Sequence, residues 1–199
     1  MTTNDSQLNA ARLIESNANN QLRNGNYRAA LALFSNALKI QKATLGSHDI
    51  SVADVLISMS HVYTIEKETD MAILMNKQAL SIVNGYQICR DHSKVAQLLD
   101  RIGTIFFDNK KYDFALNCYK KQLHVQRQCE NRDEFLVASA FINAARVHKI
   151  KQQFRLAIQL MQQSLLKQQK VLGDSHYRLF ETTRELGQLH LENKDYNNA

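Results

Sequence analysis

Proline is absent from all 199 residues. The strongest helix breaker is therefore missing, and helices end only where turns are built from other residues. Glycine is scarce as well. The six present, Gly25, Gly46, Gly85, Gly103, Gly173 and Gly187, spell neither Gly-x-Gly-x-x-Gly nor Gly-x-x-x-x-Gly-Lys, so neither phosphate-cradling loop is written. No stretch approaches the ~18 apolar residues that span a bilayer. The opening Met1-Thr-Thr-Asn-Asp-Ser-Gln lacks the basic and apolar segments of a secretory signal. A membrane protein is excluded on this reading, and the cytoplasm is the expected location.

Chemistry-bearing constellations are equally sparse. Cys89, Cys118 and Cys129 are odd in number and contain no Cys-x-x-Cys pair, which argues against structural zinc or a redox couple. Cys118 and Cys129 are expected on one helix, eleven residues and roughly 16 Å apart, beyond disulfide reach. The seven histidines are dispersed and form no His-Glu-x-x-His. No metal and no cofactor is expected. Ser164-Leu165-Leu166-Lys167 spells a Ser-x-x-Lys tetrad, but it falls beside a core column of a helix and reads as packing. The chain is not expected to be an enzyme.

What the chain does have is a period. Taking Ala30 as anchor, a small residue returns at Ala72, Ala115, Ala157 and Ala199, at intervals of 42, 43, 42 and 42. Twelve residues upstream of each anchor stand Ala18, Ser60, Gly103, Ala145 and Gly187, again small in every copy. Three residues upstream stand Tyr27, Thr69, Tyr112, Phe154 and Tyr196, and eight downstream Leu38, Leu80, Leu123 and Leu165. A fixed period of this length is the mark of a repeat architecture that grows without a central core.

Inside one repeat the apolar spacing is helical. Val95, Ala96, Leu99, Ile102, Gly103 and Phe106 recur at steps of one, three and four and share one stripe, while Asp100 and Arg101 fall off it. A turn follows at Asn109-Lys110-Lys111, and a second helix begins near Tyr112. Helices packed ~8 to 10 Å apart leave room only for Ala, Ser or Gly at the closest approach, which accounts for both small columns. First helices are placed near 6–23, 50–67, 94–109, 135–151 and 177–193. Their partners are placed near 27–44, 70–90, 112–130 and 154–172. The extra residue of the 43-residue interval lies between Ser81 and Lys94, where stacking should be perturbed.

The small columns, the aromatic before the anchor, the pairs Ala37-Leu38 and Ala79-Leu80, and the link Leu45-Gly46-Ser47-His48 leading to Val52-Ala53 resemble tetratricopeptide repeats of the longer kinesin-light-chain type. The resemblance covers about residues 6 to 199. The chain departs from it in having no proline in its links, Thr69 in place of an aromatic, and Gln122 and Ser164 where alanine is usual. The expected fold is all-α: a right-handed superhelical solenoid of antiparallel helix pairs, about four and a half repeats in one domain over 1–199. The repeats would span about 6–48, 49–91, 92–133, 134–175 and an incomplete 176–199.

Such repeats imply an interaction scaffold or adaptor that binds a peptide or protein segment in its concave groove, lined by the first helices. Carrying the family's groove positions over selects Asn19, His61, Gln97, Arg101, Asn143, Arg146, Lys149 and Arg184 as peptide-binding residues. Glu15, Ile57, Ser58, Asp100, Thr104, Ser139, Ile142, Glu185 and Gln188 join the lining. Asn143 matches the asparagine with which the family holds a peptide backbone, an amide both donating and accepting. Arg101, Arg146 and Lys149 are suited to carboxylates. The net charge of +6 and pI near 9.2 favour acidic peptides, nucleic-acid backbones and anionic membranes alike, so charge alone does not choose among them. Nucleic acid is disfavoured because Tyr and Phe fall in packing columns rather than between basic residues. The positions of the five-residue carboxylate clamp of chaperone-binding relatives are held here by Glu15, Asn19, Ser58, Gln97 and Arg101, of which only Asn19 and Arg101 fit, and Glu15 would repel the carboxylate. The alternative from another class is a structural spacer that packs through its convex face and ends. Ala199 is the fifth anchor, so the chain is expected to belong to a longer parent with further repeats or a cap, leaving Leu186, Leu189, His190 and Leu191 as uncovered surface.

Overall fold

The computed structural model describes residues 3–85, 92–129, 133–174 and 176–198. Among them are nine α-helices and no strand: α1 Thr3–Arg23, α2 Tyr27–Leu45, α3 Ile50–Ile65, α4 Thr69–Gly85, α5 His92–Asp108, α6 Tyr112–Arg127, α7 Glu134–Ile150, α8 Phe154–Leu172 and α9 Arg178–Asn198. They fall into two compact units, one built on α1 to α4 and the other on α5 to α9. The division follows α4, in the same stretch as the extra residue of the period. Part of that stretch, with Cys89, lies outside the described residues.

Each hairpin turns on one left-handed residue. Gly25, Lys67, Lys110 and Gln152 have φ of 77°, 63°, 58° and 59°, and they stand one period apart. Only the first is glycine, so the other three hairpins carry a side chain in a conformation that costs roughly 1 kcal/mol or more. The links between hairpins use glycine or aspartate. Gly46 and Gly173, at φ 90° and 78°, close α2 and α8 by donating to the carbonyls of Lys42 and Gln169. Asp49 caps α3 by accepting from the Ser51 amide at 2.8 Å, and Asp133 caps α7 by accepting from Phe135 and Leu136 at 2.9 and 3.2 Å.

In the first unit α1 packs on α2, α2 on α3 and α3 on α4. Its core gathers Ala18, Ala30, Phe34, Val55, Met59 and Val62, with Tyr27 and Leu38 packed against it. The two small columns meet: Ser60 Oγ donates to the carbonyl of the anchor Ala72 at 2.6 Å. In the second unit α6 packs on α7, α7 on α8 and α8 on α9. Ala145, Ala157, Ile158, Met161 and Leu189 form one cluster of its core. There Gly103 lies under Tyr119, so close that a Cβ would stand 2.5 Å from the ring. Half-buried Tyr112 meets Phe107 edge-on, and Phe106 stacks on Phe114 with centroids 5.2 Å apart. Thr69, in the column of those aromatics, is exposed. Ser164 Oγ donates to the Ala138 carbonyl and Lys167 Nζ pairs with Glu134, so both groups of the Ser-x-x-Lys tetrad serve packing.

The carboxyl end departs from expectation. A turn was expected after residue 193, but α9 stays helical to Asn198. A left-handed turn residue carries an energetic cost, and no second helix packs on α9 among the described residues to offset it, so local helix propensity prevails. Leu189 is buried and Leu186 half-buried against α8, instead of forming uncovered surface; Leu191 and His190 are exposed. Gly187 repeats Gly103 in sequence, yet nothing lies within 4 Å of the Cβ it would carry.

These two glycines should respond oppositely to the same substitution. Gly103→Ala drives a methyl into a fully buried ring, and overpacking of about 1–3 kcal/mol outweighs the helix-propensity gain. Gly187→Ala adds only that gain, roughly 0.5–1 kcal/mol. Urea melts of the two variants should shift the midpoint in opposite directions.

Candidate functional site

Three of the groove residues selected from the sequence converge in the second unit. Arg146 and Lys149 stand one turn apart on α7 and face α9. Arg146 grips Glu185 with two nitrogens of one guanidinium edge, Nη2 to Oε1 at 2.7 Å and Nε to Oε2 at 3.4 Å. Lys149 Nζ lies 2.8 Å from Glu192 Oε1, an oxygen that also accepts from Gln188 Nε2 at 3.0 Å. Arg184 forks on Glu181 of its own helix, at 2.5 and 3.2 Å, and that donation holds the Glu181 carboxyl below its ordinary value. Between the helices lies a cavity of about 210 Å³, with Ala145, Met161 and Leu189 as its apolar floor and Arg146, Lys149, Arg184, Glu185 and Gln188 as its polar wall. That volume suits one or two side chains and is below the ~300 Å³ at which pockets begin to hold a drug-sized ligand.

A second polar cluster joins three helices of the same unit. Asp100 on α5 is half-buried; its Oδ1 accepts from Ser139 Oγ at 3.2 Å and from Asn143 Nδ2 at 3.3 Å, and the Gln122 side chain bonds to it as well. Gln122, fully buried, also donates to the Leu136 carbonyl at 3.0 Å. Burial pushes the Asp100 carboxyl above its ordinary value of 3.8, and the three hydrogen bonds only partly oppose it. Asn143 is therefore held by a neighbouring carboxylate through one hydrogen of its amide nitrogen. The departure of Gln122 from the usual alanine was the sequence signal for this cluster, since a long polar side chain in a small column needs buried partners.

The remaining selected residues do not gather. Gln97 and Arg101 are exposed on α5, with Gln97 donating to Ser93 Oγ at 3.4 Å. Asn19 and His61 are exposed in the first unit, on α1 and α3, and Asn19 turns back to the Glu15 carbonyl at 3.0 Å. The Glu15 carboxylate accepts from Gln41. Sequence reasoning placed Glu185 in the lining without a role and did not single out Glu181 or Glu192, although all three carboxylates partner its cations. Buried Cys118 has its thiol pushed up to about 12 by burial, so it is inert at neutral pH.

The tetratricopeptide repeat family is matched over residues 9–84 and again over 137–178. The chain belongs to the tetratricopeptide-repeat family. Among solved structures, the apo form of RapI is similar with a TM-score of 0.74 and 18% identity, covering 94% of this chain and 50% of RapI. BtubC (BKLC) from P. vanneervenii is similar at 0.70 and 17%, covering 83% of this chain and 66% of that one. A Podosopora anserina protein described as a kinesin light chain with nearly identical repeats is similar at 0.76 and 17%, covering 96% of this chain and 90% of that one. The chain thus spans half the length of RapI and about two thirds of BtubC. At these identities the likeness is one of fold, an all-α solenoid of tetratricopeptide type. No curated protein matches the sequence. Tetratricopeptide repeats are in general scaffolds for protein and peptide partners rather than enzymes. Among the described residues no helix is long and apolar enough to cross a membrane.

In this tetratricopeptide-repeat protein Asp100 makes a specific pH signature. Its folded value is raised, so the native state holds the proton more tightly than the unfolded chain, and stability falls as pH rises from about the ordinary 3.8 through the folded value. Asp100→Asn should remove that component. Urea melts of both proteins across the acidic range should give a difference that favours the variant increasingly toward neutral pH; a constant difference would mean that Asp100 ionises as it does in water.

Proposed function

We propose that the protein is an adaptor that receives an acidic segment of another protein along the surface of its first helices, with the cavity between α7 and α9 as the principal contact. The same reading treats residues 1–199 as one array of repeats, with Asn19, His61, Gln97, Arg101 and Asn143 as further contacts for the bound segment. One observation carries it: three cations from two first helices, Arg146, Lys149 and Arg184, ring a single cavity with an apolar floor. Carboxylates suit the rim and a small apolar side chain suits the floor. Asn143 carries an amide, which can both donate to and accept from the backbone of an extended chain.

The magnitude of the effect follows from exposure. The Arg146 side chain is 47% exposed and that of Lys149 35%, so each acts as a rim charge worth roughly 0.2–1 kcal/mol. Rim charges chiefly set the rate of association and its salt dependence. Selection from a random peptide library should enrich acidic sequences, and Arg146→Glu with Lys149→Glu should weaken the selected peptide about two- to thirtyfold at low salt and less at high salt. Unchanged affinity in the double variant would move the binding site to another face.

A further inference from the structure

The cations around the α7–α9 cavity already have partners, and the partners come from one helix. Glu185 and Glu192 stand seven residues apart on α9, two turns along one face, and they reach across to Arg146 and Lys149 on α7. Arg184, on α9 itself, is held by Glu181. Three cations therefore meet three carboxylates, and the site is neutral as it stands. An incoming carboxylate meets an occupied site.

We propose that Glu185 is an internal stand-in for the ligand: it holds the Arg146 fork in the orientation that receives a carboxylate, and an acidic segment binds by taking its place. This rests on the function proposed above and adds to it a competition within the site. The geometry supports exchange in two ways. The Arg146–Glu185 contact is two-pronged, at 2.7 and 3.4 Å, which is how an arginine receives a carboxylate from any source. The pair is also open to water on the arginine side, 47% exposed against 21% for Glu185, so a second carboxylate has access to the guanidinium before Glu185 leaves. A deeply buried pair would offer no such route, because breaking it strands a charge. Here the released Glu185 swings toward solvent at the cavity mouth, where water takes over its hydrogen bonds. Lys149 and Glu192 make a second, one-pronged contact beside it, which keeps α7 and α9 clasped while the first exchanges.

The consequence runs opposite to that of losing an ordinary contact residue. Removing a residue that touches ligand weakens binding, whereas removing an internal competitor strengthens it. The probe is a fluorescein-labelled hexapeptide of alternating glutamate and leucine, read by fluorescence polarisation on the full chain, with a lysine–leucine hexapeptide as control. Glu185→Gln should tighten the glutamate–leucine peptide by about two- to fivefold, the range that an exposed ion pair commands. Arg146→Gln should weaken the same peptide, and the gain from Glu185→Gln should vanish in the Arg146→Gln background. Thermal melts of each variant confirm that it is folded, and Glu192→Gln, which alters the clasp and leaves Glu185 on the Arg146 fork, should not tighten binding; tightening equal to that of Glu185→Gln would overturn the assignment of the exchange to Glu185. Equal or weaker binding by Glu185→Gln, with the Arg146→Gln loss intact, would overturn the exchange and leave the acidic-segment site standing. Equal binding of the glutamate and lysine peptides to the wild-type chain would overturn both.

Discussion

The close approach of two helices inside each hairpin is the constraint from which the rest of the molecule follows. In one hairpin Ser60 Oγ reaches the Ala72 carbonyl at 2.6 Å, and in the next the Tyr119 ring lies over Gly103 with no space for a methyl group. That proximity fixes which face of each first helix is turned inward, and so which face is left to line a surface. Arg146 and Lys149 are presented beside the cavity because Ala145, next to them on α7, is pressed into the core with Ala157 and Met161. A side chain larger than alanine at that position would lift α7 from α8 and carry the cations with it.

Most of the fold was legible because steric exclusion writes plainly. A position that admits only Ala, Ser or Gly in every copy is visible without any knowledge of its surroundings, and two such columns twelve residues apart specify a hairpin. Helices α2, α4, α6 and α8 all start at one column of the period, Tyr27, Thr69, Tyr112 and Phe154. The end of α9 was not legible. Periodicity projects a turn from the neighbouring hairpins, but the left-handed residue there is held by packing of the following helix, and that packing is absent among the described residues. Leu186 and Leu189 were misplaced as a consequence, since their stripe faces α8 and not a later helix.

The site was legible by position and not by charge state. Arg146, Lys149 and Arg184 come to one cavity because they share a face at first-helix positions, which period and spacing reveal. Their carboxylate partners depend on side-chain reach across two helices, and no one-dimensional pattern encodes it: Glu185 lies 39 residues from Arg146. Asp100 shows the same limit. Its acid lies off the apolar stripe, yet the structure half-buries it because Gln122, Ser139 and Asn143 from two other helices supply hydrogen bonds. Such a cluster is costly when incomplete and makes one register of α5, α6 and α7 much better than its neighbours.

Within each unit, helices pack on the helices next to them in the chain: α1 on α2, α2 on α3 and α3 on α4 in the first, and α6 on α7, α7 on α8 and α8 on α9 in the second. Such contacts close short loops, whose entropy cost is small. Folding is then fast for a chain of this length and has no obligatory starting point, since any hairpin forms without waiting for a distant segment. The hairpin of α1 with α2 closes within residues Thr3 to Leu45 and needs no later segment for its own mutual contacts. The core of the first unit is completed only when α3 adds Val55, Met59 and Val62 to Ala18, Ala30 and Phe34, so each hairpin hands its open apolar stripe to the next helix in the chain.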